Sequence, residues 1–202
     1  MSVATVVESG TLDTIHEEID EEKTPRDDEM EITRVDLRAH CPPVYDQGAL
    51  GSCSANAIVA AYEYDELRRC PDNPTMLSRL FLYYNERVAE GTELCDAGAS
   101  LRDGMRSLDQ IGACPESEWE YDITRYTEKP PAYCYTLSQF YRSLVYARVE
   151  QKLDALRAAL RGDYPIVCGV VVHTSFESRE VARTGVVPLP EKDESQLLSL
   201  IH

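Results

Sequence analysis

The sequence lacks the features that mark several large classes of protein. Its 202 residues contain no Cys-x-x-Cys pair and no paired cysteine and histidine at zinc-ligand spacing, so we expect neither a metal site nor a cofactor. Basic residues are scarce: 20 Lys and Arg stand against 36 Asp and Glu, for a formal net charge of -16. Because this charge repels a phosphate backbone, we expect no nucleic acid as a partner.

Long apolar runs are missing as well. No stretch has the length of a transmembrane helix, and the N-terminus has neither the basic start nor the apolar run of a signal peptide. We therefore expect no membrane partner and a cytoplasmic protein. The seven cysteines are an odd number, so at least one thiol is free, and most are expected to be small buried hydrophobes in a reducing compartment.

Charge and hydrophobic periodicity divide the chain into an arm and one domain. Residues 1–31 are acidic and polar, which predicts a disordered arm. Residues 32–202 are expected to form one domain, with a helical part over about 32–130 and a partial β-rich part over about 131–202. The dipeptide Pro130-Pro131 breaks the pattern between these parts.

The first part of the domain has helical periodicity and the second part has mostly strand patterns. Helices are predicted from Ser52 or Cys53 to Arg69, from residues 76–78 to Gly91, and from Ser100 to Gly112. The second part predicts a strand at 146–149, a helix at 150–161 with Leu153, Leu156 and Leu160 inward, a buried strand at 165–173, and a further strand near 186–187. This order of elements predicts an α+β fold.

The most informative stretch is 46–57, Asp-Gln-Gly-Ala-Leu-Gly-Ser-Cys-Ser-Ala-Asn-Ala. It places Cys53 at the start of an apolar helical run, where the positive end of the helix dipole favours a thiolate. The side-chain amide of Gln47, a short way upstream, can fold back towards an oxyanion formed at that sulfur. A structural cysteine that opens an ordinary helix is the competing interpretation.

This stretch resembles the nucleophile segment of the papain-like cysteine peptidases. Residues 35–38, Val-Asp-Leu-Arg, are similar to that family's Val-Asp-Trp-Arg, and residues 95–98, Cys-Asp-Ala-Gly, are similar to its Cys-Asn-Gly-Gly. The resemblance implies a two-lobe papain-like fold, with Cys53 as the nucleophile. It also implies that Gln47 and the backbone N–H of Cys53 stabilise the oxyanion.

The resemblance also implies how substrate is bound. Gly98, with Ala97 beside it, would pair with the backbone of a peptide or protein substrate. The sequence departs from the family at Leu50, which stands where the family has the first cysteine of a disulfide. Cys95 at the partner position therefore lacks that mate, which fits a reducing interior.

The resemblance also implies a catalytic histidine. The family places it roughly 130–150 residues after the cysteine, and His202 falls in this window. His202 is also the last residue, so an accidental terminal histidine is the alternative; His173 is interpreted as a structural histidine at the end of a strand. The asparagine and strands that follow the histidine in the family have no counterpart. We therefore expect a chain truncated at or just before this segment, with an unpaired or poorly covered edge along 166–172.

Two functions are compatible with these observations. The first is a cysteine-type peptidase that hydrolyses peptide bonds through a Cys53 acyl-enzyme, and that is inactive as written if its C-terminal part is missing. The second is a non-catalytic papain-like binding or inhibitory module that keeps the cleft and lacks the histidine and asparagine.

Overall fold

The computed structural model describes residues 3–7, 34–142, 145–190 and 195–201. Within these residues the α-helices are α1 (Cys53–Arg69), α2 (Arg79–Glu90), α3 (Leu101–Gln110), α4 (Ala132–Ser138), α5 (Leu153–Arg161) and α6 (Arg179–Thr184). The β-strands are β1 (Val3–Val7), β2 (Val145–Arg148), β3 (Ile166–His173) and β4 (Gln196–Ile201). No helix in these ranges is long and apolar enough to cross a membrane.

The first three helices begin and end close to the residues that the sequence predicts. The Ser78 side chain accepts a hydrogen bond from the backbone N–H of Phe81 at 3.0 Å and so caps α2. Ser100 caps α3 in the same way, accepting from the backbone N–H of Asp103 at 3.2 Å. Gly91 ends α2 in the left-handed conformation, with φ 71°. Local capping chemistry therefore sets these boundaries.

These helices pack into a common core through their apolar faces. Helix α1 contacts both α2 and α3, and its Ile58 is fully buried, as are Phe81 of α2 and Met105 of α3. Gly104 of α3 lies at the point of closest approach, where a Cβ atom would lie 2.4 Å from Ile58 Cδ1. Helix α3 can approach α1 this closely because the position has no side chain.

Helix α4 was not predicted. The sequence pattern treats Pro130-Pro131 as a break, but Pro131 is the residue that caps the helix, with φ -67°. Proline is compatible with a helix start because the first backbone N–H groups need no intrahelical acceptor. The helical layer therefore continues beyond the expected boundary near residue 130, and that boundary remains a prediction.

The four described strands form a mixed sheet in the order β2-β1-β3-β4. Strand β1 is parallel to both β2 and β3, whereas β4 is antiparallel to β3. The expectation of a disordered arm is therefore wrong for Val3–Val7, whose valines and threonine favour a strand. The acidic composition of the arm as a whole hid this short β-prone run, and residues 8–33 lie outside the described residues.

Strand β3 corrects two further expectations. It pairs with β1 through Ile166–Cys168 and with β4 through Gly169–His173, so the expectation of an unpaired edge is wrong, whereas the alternative of a poorly covered edge fits the exposed Val170 and Val171. The expected full burial is also wrong, because Val167 and Val172 are buried but Val171 is 50% exposed. The exposed residues of the strand are consecutive, at 169–171, and lie between the two buried valines.

The remaining elements of the second part are more exposed than expected. Leu153 of α5, predicted to point inward, is 61% exposed, and no residue of that helix is fully buried. The segment at 186–187 is an exposed loop after α6 rather than a strand. The apolar residues of α5 and of the segment at 186–187 predict burial, but few of the described residues cover them.

Helix α1 joins the two parts. It contacts β1, β3 and β4 on one side and α2 and α3 on the other. Val167 of β3 belongs to the same hydrophobic cluster as the three helices, and Tyr146 of β2 packs against it. The predicted α+β class is confirmed, and the segment at Cys53 is carried by the start of α1.

Candidate active site

Cys53 is the first residue of α1 and is half-buried. The helix it opens has 17 residues, and Ala55, Ile58 and Val59 anchor its first turns in the core with no exposed surface. Ser52, the residue before it, makes no side-chain cap to the helix. The thiol therefore stands at the positive end of a long helix, and the Ser52 side chain does not bond to the first N–H groups of that helix.

The side chain of Gln47 folds back onto the turn that leads to Cys53. Its Nε2 donates to the backbone carbonyl of Leu50 at 2.9 Å, and the same carbonyl accepts from the backbone N–H of Ser52 at 2.8 Å. Leu50 is buried in the core, which fixes the carbonyl that both groups share. A primary amide has two N–H donors, so Gln47 retains one that can be offered to a ligand.

The segment Cys95–Gly98 lies against this turn and is tied to it by Asp96. The Asp96 carboxylate accepts from the backbone N–H of Gly51 at 3.0 and 3.1 Å, and it also accepts from the Tyr83 hydroxyl. The backbone N–H of Gly98 donates to the same hydroxyl at 3.2 Å. Gly98 has φ 72° and, like the exposed Ala97, belongs to an edge that is held beside the turn.

The buried side chain of Arg87 is hydrogen-bonded to the segment that carries Gly98. Its Nη1 donates to the backbone carbonyls of Glu93 and Cys95 at 2.9 and 2.8 Å, and its guanidinium lies over the Tyr83 ring at 4.0 Å. Burial of a charge is costly unless every donor is matched, and here backbone oxygens supply the acceptors. The segment that carries Gly98 is therefore held by α2 as well as by the turn.

A second set of polar contacts lies behind the turn. The Tyr121 hydroxyl donates to the backbone carbonyl of Gln47 at 3.0 Å and is hydrogen-bonded to Ser52 Oγ. Asn56 Nδ2 donates to both the Oγ and the backbone carbonyl of Ser52, at 3.0 and 2.9 Å. The first and last residues of the turn are thus bridged by a side chain distant in sequence.

Two buried carboxyl groups lie along α1 and α2. Glu86 is fully buried, and its Oε1 accepts from the hydroxyl of Ser54, the residue after Cys53, at 2.5 Å. Burial raises the pKa of Glu86 to about 8, although the hydrogen bond from Ser54 opposes this rise. Burial likewise raises the pKa of Glu63 to about 7, although hydrogen bonds from the Tyr45 hydroxyl and the backbone N–H of Leu77 oppose it.

None of the described histidines is hydrogen-bonded to Cys53. His173 ends β3 beside an irregularity in the strand pairing, and its Nδ1 is buried without a hydrogen-bond partner among the described residues. The His40 ring packs edge-on against Tyr64, with centroids 6.2 Å apart. His202 lies outside the described residues, so the structure does not place this candidate.

All seven cysteines are free thiols. Cys95 is exposed and unpaired, and Leu50 occupies a buried position in place of a bonding partner. Burial raises the pKa of the Cys114 and Cys168 thiols. The pKa of the Cys41 thiol is also raised, mainly by partial burial and to a lesser extent by the nearby Asp36 charge. Across the described ranges, no three His, Cys, Asp or Glu side chains are grouped so that they could hold a metal ion.

Sequence reasoning missed the contacts of Tyr121 and Asp96. Each of them contacts the turn from a position far away in sequence. A polar side chain at Asp96 in an otherwise small-residue segment was the available signal for one of them. Tyr121 gave no comparable signal, because an isolated tyrosine is usually interpreted as part of a core.

Comparison with known proteins identifies related chains. No family model matches the sequence. An uncharacterized peptidase C1-like protein of Acanthamoeba polyphaga mimivirus is 39% identical over 160 residues, which cover 75% of this chain and 51% of the relative. The chain thus spans about half the length of the curated relative it matches.

Solved structures show the same similarity. Xylellain, a cysteine protease from Xylella fastidiosa, superposes with a TM-score of 0.71 at 37% identity, over 83% of this chain and 66% of xylellain. The digestive procathepsin L 3 of the Tenebrio molitor larval midgut shares the fold, with a TM-score of 0.54 at 22% identity over 71% of this chain and 45% of that one. The fold is that of the papain-like thiol peptidases. The chain belongs to the papain-like cysteine peptidase family.

Proposed function

We propose that this chain is a cysteine-type peptidase that acts on peptides or proteins through Cys53. The thiolate sulfur attacks the carbonyl carbon of the scissile bond, and the carbonyl oxygen becomes an oxyanion. Collapse of this intermediate breaks the C–N bond and releases the amine, which takes up a proton. Water then attacks the thioester, releasing the new carboxyl group and the Cys53 thiol.

The main observation in support of this proposal is that the Gln47 side chain folds back onto the turn that leads to Cys53. The amide is held by the Leu50 carbonyl at 2.9 Å, and its remaining N–H can be directed at an oxyanion on a carbonyl bound to Cys53. The backbone N–H of Cys53, at an uncapped helix start, supplies a second donor. A structural cysteine would need neither donor.

The substrate is proposed to lie along the edge that includes Ala97 and Gly98. Gly98 can expose its backbone to an extended peptide because it has no side chain and adopts φ 72°. Asp96 connects this edge to Gly51, two residues before the nucleophile. A peptide paired with Gly98 is thereby registered against Cys53.

An imidazole is needed to accept the thiol proton and to protonate the leaving amine. We propose His202 for this role. His202→Ala should then abolish turnover of a fluorogenic peptide while His173→Ala, the matched control at the end of β3, leaves it in place. Loss of turnover in His173→Ala alone would transfer the role to His173.

A peptidyl epoxide probe tests the proposed nucleophile directly. We expect the probe to label Cys53 in the folded 202-residue chain and to leave Cys95 unlabelled, although Cys95 is more exposed. Cys53→Ser should abolish labelling and Cys95→Ser should not. Each modified peptide is identified by mass spectrometry after proteolysis.

Gln47→Ala provides the second half of the test. It should slow turnover of a peptide substrate by about 10²–10³-fold, the usual cost of one oxyanion donor, while thermal unfolding is nearly unchanged. Labelling at another cysteine would contradict the assignment of Cys53. Reversible peptide binding with no covalent adduct at any cysteine would instead identify the non-catalytic binding module.

A further inference from the structure

We propose that Tyr121 is a positioning residue that holds Gln47 and Cys53 in register for oxyanion stabilisation. The inference rests on the proposed function and concerns how the same site is assembled. Tyr121 lies outside the turn and does not take part in the reaction itself. Its hydroxyl contacts both the residue that carries the oxyanion amide and the residue that precedes the nucleophile.

The hydrogen bonds through this hydroxyl have a fixed direction. Asn56 Nδ2 donates to Ser52 Oγ at 3.0 Å. Because the single proton of Tyr121 goes to the Gln47 carbonyl, the Ser52 hydroxyl is the donor in its bond with Tyr121. The Tyr121 hydroxyl in turn directs its single proton to the Gln47 carbonyl at 3.0 Å. Each hydroxyl thus accepts one bond and donates one. The series of hydrogen bonds begins at the Asn56 amide and ends at the Gln47 carbonyl.

The orientation of Asn56 is itself set by Arg79. Arg79 Nη1 donates to Asn56 Oδ1 at 3.0 Å, which turns the amide NH₂ group towards Ser52. The Arg79 guanidinium lies between the rings of Tyr45 and Tyr121, at 4.2 and 4.1 Å from their centroids. The Tyr121 ring therefore packs against the same cation that orients the first donor.

The Tyr121 backbone is anchored independently of its hydroxyl. Its N–H donates to Glu116 Oε1 at 2.8 Å, and Glu116 also pairs with Arg79 at 3.4 Å. Removal of the hydroxyl alone should therefore leave the ring in place. Tyr121→Phe isolates the bridge between Gln47 and Ser52 from the packing around it.

The bridge matters because the turn between Gln47 and Cys53 contains two glycines, and the Tyr121 hydroxyl bonds directly to both Gln47 and Ser52. Without the hydroxyl, the Gln47 carbonyl and the Ser52 hydroxyl each lose a partner in a partly buried place. A misplacement of about 1 Å near reacting groups can cost about 10²-fold in rate, so a shift of a few tenths of an ångström should cost about tenfold.

Substrate binding should not share this loss. The Gly98 edge is held through Asp96 and Tyr83, neither of which contacts Tyr121 in the described structure. A positioning role at the oxyanion therefore predicts weaker stabilisation of a tetrahedral adduct with unchanged affinity for a planar or non-reacting peptide. A general structural weakening would reduce both.

A peptide aldehyde and the corresponding peptide alcohol separate these outcomes. The Cys53 sulfur adds to the aldehyde carbon, the thiol proton passes to the carbonyl oxygen, and that oxygen occupies the oxyanion position; the alcohol binds without bond formation. We expect Tyr121→Phe to weaken aldehyde binding about tenfold and to leave alcohol binding unchanged. Tyr135→Phe is the control: it removes a hydroxyl that donates to Asn85 Oδ1 at 3.1 Å and that takes no part in the turn. This change should alter neither affinity.

A double-mutant cycle tests whether Tyr121 acts through Gln47. In a Gln47→Ala background the amide is absent, so the further change Tyr121→Phe should have no additional effect on aldehyde binding. Full additivity of the two changes would overturn the proposal. Equal weakening of aldehyde and alcohol in Tyr121→Phe would also overturn it, since that result describes a structural brace.

The outcomes for the site and for its positioning residue can be distinguished. If the wild-type chain forms no adduct between the aldehyde and Cys53, the proposed function fails and this inference fails with it. If the wild-type chain forms the adduct and Tyr121→Phe binds the aldehyde equally well, only the role of Tyr121 is refuted.

Discussion

Replacement of Glu86 by glutamine should change how the stability of the fold depends on pH. Glu86 is fully buried between α1, α2 and α3, and its Oε2 has no hydrogen-bond partner among the described residues. Burial is the main cause that raises its pKa from 4.5 to about 8, and the nearby carboxylates of Glu90 and Asp103 raise it further. The folded chain therefore holds a proton that the unfolded chain releases above pH 4.5.

The sign of the effect follows from proton binding. Between about pH 4.5 and 8 the folded state binds more protons than the unfolded state, so the free energy of unfolding falls as pH rises, by up to about 1.4 kcal/mol per pH unit for this one group. Glu63 contributes in the same direction up to about pH 7. From pH 7 to 8 the loss comes mainly from Glu86, because Glu63 is already about half ionised at pH 7.

Urea denaturation at pH 5, 7 and 8 provides the measurement. We expect the wild-type chain to lose about 1 kcal/mol of unfolding free energy between pH 7 and 8, and Glu86→Gln to lose clearly less because it cannot ionise. Glu120→Gln removes a carboxyl group from an exposed position and should behave as wild type. A Glu86→Gln variant whose stability falls as steeply as that of the wild-type chain over this interval would refute the reasoning.

Two further substitutions test the packing around the site. Gly112→Ala should destabilise the fold by about 3 kcal/mol or more in urea denaturation, because the new Cβ would lie 2.0 Å from the Ser138 carbonyl oxygen at a residue with φ 81°. The control Gly91→Ala has φ 71° and open space around it, so it should cost only about 1–2 kcal/mol; equal losses in the two variants would show that the close approach is irrelevant. Asp96→Ala should release the Gly98 edge from Gly51 and weaken binding of a peptide alcohol, as measured by calorimetry, while iodoacetamide alkylation of Cys53 proceeds at the wild-type rate. Unchanged peptide affinity in that variant would remove Asp96 from the assembly of the edge.

The helical layer was predictable from sequence because its signals are local. Ser78 and Ser100 cap their helices with bonds to residues only three positions away, and the buried residues of α1 to α3 recur at helical spacing. Gln47 and Cys53 are also close in sequence, so their shared turn could be anticipated. These features need no knowledge of the rest of the chain.

The sheet and the outer contacts of the site depend on distant partners. Nothing within Val3–Val7 specifies parallel pairing with residues 145–148 and 166–168, so composition alone suggested a disordered arm. Asp96 and Tyr121 reach the turn across long separations in sequence for the same reason. Leu153 of α5 was wrongly predicted to be buried. Apolar residues at helical spacing are buried only when another element covers that face of the helix.

The order in which the seven thiols react with limiting iodoacetamide at neutral pH tests the central claim most directly. Surface exposure alone favours Cys41, Cys70 and Cys95, which are exposed, over the half-buried Cys53. The proposed nucleophile lies at the positive end of α1, so we predict that Cys53 is alkylated first in the folded chain and loses this advantage in urea. Faster alkylation of any of the three exposed thiols in the folded chain would contradict the assignment of Cys53 as the nucleophile.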